Sequence, residues 1–75
     1  MPLDTAVRET MLAEVPSLRE LAISLCGDVD RADDLVQRML LRAVANIDSY
    51  KPGTDMAPWL GTILGHEYRK RAASR

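Results

Sequence analysis

The 75-residue chain has no phenylalanine, one cysteine (Cys26), one histidine (His66) and one tryptophan (Trp59). A single cysteine rules out an intrachain disulfide and fits a reducing, cytoplasmic setting. One cysteine and one histidine cannot build a structural zinc site, and no other metal or cofactor is expected. No apolar run approaches a membrane span, and Met1 to Thr10 lacks the basic-then-apolar order of a secretion signal. There is no glycine-rich phosphate loop, because Gly53 and Gly61 have the wrong spacing and context. Asp33 and Asp34 are neighbours, so on a helix their carboxylates diverge by about 100° and cannot share a substrate. An enzyme is not expected. No internal repeat and no period-two alternation long enough for a strand are present.

What is there suits one small folded domain spanning 1–75: 47% hydrophobic and 28% charged residues. The net charge of −1 hides an asymmetry. Residues 1–50 carry five basic against nine acidic groups, giving −4. Residues 51–75 carry Lys51, Arg69, Lys70, Arg71 and Arg75 against Asp55 and Glu67, giving +3. An acidic front and a basic tail imply two faces with different partners.

Proline and glycine punctuate the chain at Pro16, Gly27, Pro52-Gly53 and Pro58, leaving three helical stretches. The expected fold is therefore all-α, a small bundle of three main helices. The first stretch runs from about Asp4 to Leu25 with Leu18, Leu21, Ala22 and Leu25 as its apolar stripe. Pro16 cannot donate the i→i−4 hydrogen bond, so a kink or fresh start is expected there. Gly27 suits a left-handed helix end, and Cys26 beside it reads as a small buried hydrophobe. The second helix is expected to start with Asp30 as cap and to end near Asn46–Asp48. Its apolar positions include Leu35, Val36, Met39 and Ala43. The third begins with Thr54 or Asp55 as cap, tolerates Pro58 in its first turn, and buries Trp59, Leu60, Ile63, Leu64 and Tyr68. Gly61 and Gly65 either admit another backbone or weaken that helix.

Between the last two helices lies SYKPGTDMAPW (49–59). Its residues read either as a connector plugged by Tyr50 and Trp59, or as a stiffened loop that a partner contacts. Trp59 leans to the core; Tyr50 is open between core and contact. His66 reads as a surface or boundary residue of the third helix.

Four segments in order, LRELAISLCGD (18–28), DRADDLVQRMLLRA (30–43), NIDSYKPGTD (46–55) and MAPWLGTIL (56–64), resemble region 2 of extracytoplasmic-function sigma factors, nearest the general-stress-response type. The resemblance spans about residues 15–70. It implies a transcription initiation domain that binds core RNA polymerase through the β′ clamp and engages the promoter −10 element, holding the non-template strand single. On this chain it places polymerase contacts on Asp33, Asp34, Gln37, Arg38 and Leu41. It places DNA contacts on Ser49, Tyr50, Lys51, Thr54, His66, Arg69, Lys70 and Arg71. Arg38 stands where the family usually has an acidic residue, a reversed charge expected to oppose docking. The alternative is a sigma-like interaction module that binds an anti-sigma factor without touching DNA.

Overall fold

The computed structural model describes residues 4–73, so Arg75 lies outside it. Three helices, α1 (Thr5–Cys26), α2 (Val29–Ala45) and α3 (Met56–Ala73), pack against one another, and no described residue lies in a strand. A 3-10 turn, Ile47–Ser49, follows α2.

Asp4 caps α1 by accepting the Ala6 N–H. At the other end Gly27 takes φ 69° and donates its N–H to the Ile23 carbonyl at 2.8 Å. That left-handed residue reverses the chain within two positions, so α2 starts almost at once. The fresh start considered at Pro16 does not occur: α1 runs through it as one helix. Pro16 lies on the exposed side, and Leu12, whose carbonyl loses its N–H partner, is 51% exposed. Water can therefore supply the missing bond, and the helix continues.

The apolar stripe of α1 also differs from expectation. Met11, Leu18 and Ala22 are buried, but Leu21 and Leu25 are 46% and 39% exposed. Leu21 is turned about 60° from Leu18 around the helix, beyond the covered strip. Cys26 is only partly buried.

α2 begins one residue before the expected cap. Asp28 is its extended N-cap, and Asp30 falls in the first turn, where a carboxylate still favours the positive helix end. Ala32, Leu35, Met39 and Ala43 are fully buried along one face, as the periodicity requires. At α3 the cap is Asp55, which accepts the Ala57 N–H at 3.2 Å; Thr54 instead donates its hydroxyl to the Lys51 carbonyl. Met56, Leu60 and Leu64 form the buried spine of α3, while Trp59, Ile63 and Tyr68 are partly buried against it.

Gly61 and Gly65 do not admit a second backbone. A Cβ at Gly61 would meet nothing within 4 Å, and one at Gly65 only the Arg69 side chain at 3.5 Å. Gly61 thus weakens the helix without a packing return. Gly61→Ala is expected to stabilise the domain by about 0.5–1 kcal/mol, read as a higher thermal midpoint.

Candidate nucleic-acid interface and partner face

The segment linking α2 to α3 is braced from below. The Tyr50 ring is 8% exposed, packs against Trp59 at a centroid distance of 5.2 Å and a tilt of 47°, and donates its hydroxyl to the Thr54 carbonyl at 2.6 Å. Gly53 turns the chain at φ 93°, and the Thr54 N–H returns to the Lys51 carbonyl at 3.2 Å. Tyr50 is therefore not placed to stack on a base. Burial of its ring, needed to close the core under the loop, removes it from the contact set. Lys51 and Thr54 are exposed on the loop.

Beside this loop, α2 and α3 flank an open groove of about 720 Å³. Partly buried Trp59 and Ile63 supply its apolar surface. Polar groups come from Asn46, Ser49, Thr62 and His66, and cations from Arg42, Arg69 and Lys70. With Glu67 as the one acid among the lining residues, these charges leave +3 − 1 = +2. Of the expected DNA contacts, the groove gathers Ser49, His66, Arg69 and Lys70, and omits Lys51 and Thr54. Arg42, Asn46, Trp59 and Thr62 were not in that set.

Arg71 goes elsewhere. Successive helical residues diverge by about 100°, so Arg69, Lys70 and Arg71 cannot share one face. Arg71 reaches back to α2 and bonds the Asp34 carboxylate, which also accepts from Arg38 at 3.1 Å. Asp34's pKa is held below its ordinary value, first by the Arg38 hydrogen bond and also by Arg71, with burial opposing. The sign follows: this stability is present at neutral pH and is lost as pH falls below about 4, through the lowered folded value. Asp34→Asn is therefore expected to destabilise the domain at pH 7, with the difference from wild type shrinking as pH falls below about 4.

Four of the five expected partner contacts, Asp33, Gln37, Arg38 and Leu41, are exposed on α2, and Asp34 is half-buried there. Asp33, Gln37 and Leu41 follow each other at four-residue spacing, so they form one ridge, and Val44 extends it. Leu41 is 66% and Val44 41% exposed. Asp33 accepts from Arg19 of α1 at 2.7 Å. Gln37 is exposed and makes no side-chain hydrogen bond among the described residues. Arg38 is matched by Asp34, so its charge is compensated within the domain rather than facing a partner alone.

Among the described residues no cluster suits a metal ion, and no helix is long and apolar enough to cross a membrane. The arrangement is that of a three-helix bundle with a cationic groove on one side and an exposed helical ridge on another.

The family model for the sigma-2 domain of PhyR matches residues 11–64, more than half of the chain, and the chain belongs to this sigma-2 domain family. It is also 59% identical over 75 residues to the ECF RNA polymerase sigma factor EcfG of Rhodopseudomonas palustris (strain TIE-1). That alignment covers 95% of this chain and 41% of the relative, so the chain spans less than half of the relative's length. No solved structure matches it.

Proposed function

We propose that this domain acts in the cytoplasm as sigma region 2, docking on the β′ clamp of core RNA polymerase and holding the unpaired non-template strand of a promoter −10 element. The supporting observation is the groove between α2 and α3. Unpaired nucleic acid is held by base contact with an aromatic surface and by cations on phosphate, and Trp59 lies there with Arg42, Arg69 and Lys70. Asn46, Ser49 and Thr62 offer amide and hydroxyl groups to base edges. Tyr50 contributes indirectly, by fixing the loop that carries Lys51 and Thr54.

The test is anisotropy of a labelled single-stranded −10 oligonucleotide titrated with the 75-residue chain, beside the same sequence as duplex. Binding to the strand and not the duplex supports the reading; equal or absent binding by folded protein refutes it. For the docking ridge, Gln37→Ala is expected to lower recovery of a β′ clamp fragment in pull-down about three- to tenfold, while leaving DNA affinity unchanged. Loss of DNA binding with intact clamp recovery would instead move Gln37 to the wrong face.

A second reading has one observation in its favour. Leu21, Leu25 and Val29 are exposed around the turn between α1 and α2, away from the groove. Apolar surface of that kind suits a protein partner such as an anti-sigma factor. Flat DNA titrations with intact folding would support that module.

A further inference from the structure

Glu67 is the one buried charged residue among those described, 7% exposed on α3. It sits in a groove that is otherwise cationic. Its Oε2 accepts from Arg42 Nε of α2 at 3.3 Å and lies 3.8 Å from Lys70 Nζ on its own helix. An acid there lowers the positive potential that would attract phosphate. If attraction alone shaped this groove, a neutral residue would serve better.

The geometry of Arg42 supplies a reason for it. Arginine carries five N–H donors in a planar fork. Glu67 occupies the Nε edge, and the terminal amino groups make no hydrogen bond to any described residue. A guanidinium tethered by Nε to a buried acceptor cannot swing freely, and its two amino groups stay in one plane at the groove. Two parallel donors fit two oxygens of a phosphate end-on. The Arg42 carbonyl also accepts from the Asn46 amide at 2.9 Å, which steadies the last turn of α2 beneath.

Resting on the nucleic-acid reading above, the geometry points to Glu67 as a positioning residue, whose carboxylate aims the Arg42 fork at one phosphate of the bound strand. Arg42 touches the strand, and Glu67 acts through Arg42. The groove gives up one unit of attraction to obtain one oriented contact.

Electrostatics and positioning predict opposite signs, which makes the test decisive. Glu67→Met keeps the length and fills the buried site but accepts no strong hydrogen bond. It adds one positive unit to the groove's net charge. Glu67→Gln makes the same charge change yet keeps an acceptor for Arg42. Each is titrated with a labelled single-stranded −10 oligonucleotide, with a thermal melt confirming that the protein is folded.

The expectation is that Glu67→Met weakens binding about three- to tenfold despite the more positive groove, the scale of one oriented charge-assisted contact. Glu67→Gln should bind at least as tightly as wild type. In an Arg42→Ala background, Glu67→Met should no longer weaken binding. If both Glu67 variants bind equally tightly, or more tightly than wild type, Glu67 only tunes charge and the proposal fails. If Glu67→Met lowers the melt alone, with affinity unchanged, its role is structural and the proposal also fails. If wild-type protein does not bind the strand, the nucleic-acid reading itself falls and takes this one with it. Binding by wild type separates that outcome from the other two.

Discussion

Leu60→Ala is expected to remove about 3 kcal/mol, the usual scale for emptying a fully buried leucine site. Leu60 is 0% exposed and lies between Met56 and Leu64 on the spine by which α3 joins the core. A domain of 75 residues holds only about 4–11 kcal/mol in total. One truncation therefore consumes a large share of it. In urea the transition midpoint should fall by about 3 M, for a slope near 1 kcal/mol per molar. Leu41→Ala is the matched control: with 66% of that residue exposed, its midpoint should move by less than about 0.5 M. Equal shifts for the two variants would mean that the helices are packed differently.

The second large effect concerns salt. If Arg42, Arg69 and Lys70 each neutralise one phosphate, the slope of log affinity against log salt for a single strand is about −2. Raising salt from 50 to 200 mM should then weaken strand binding about 20-fold. The triple alanine variant should bind more weakly at low salt and lose nearly all of that dependence. Arg71→Ala should leave the slope almost unchanged, because Arg71 is bound to Asp34 on the other side of α3. A slope that follows Arg71 as strongly as Arg42 would shift the interface out of the groove.

Helix α2 was legible in the sequence because its apolar positions recur at one spacing and its first turn is acidic, two signals that agree. The join at Gly27 was legible for a similar reason: few residues other than glycine take φ 69° cheaply. The fresh start considered at Pro16 fails because the proline rule counts the missing N–H but not where the orphan carbonyl lies. Here Leu12 is exposed, a fact of tertiary packing. The candidate groove was only half visible. Arg69 and Lys70 stand out as cations in a basic segment, whereas Ser49 and His66 enter only through the family resemblance. Arg42 and Glu67 are 25 positions apart and meet only once α2 and α3 pack. A lone acid inside a basic helical end was the available signal for Glu67. Arg71 was grouped with Arg69 and Lys70 by adjacency, although helical geometry alone separates the three.

The solitary indole of Trp59 sits at tilted ring contact with Tyr50 and borders the groove. Its intrinsic emission consequently reports two events without any added dye. Unfolding exposes the indole to water and shifts the spectrum to the red. A nucleobase settling against it quenches the signal at constant wavelength, so one cuvette can distinguish an occupied domain from a melted one.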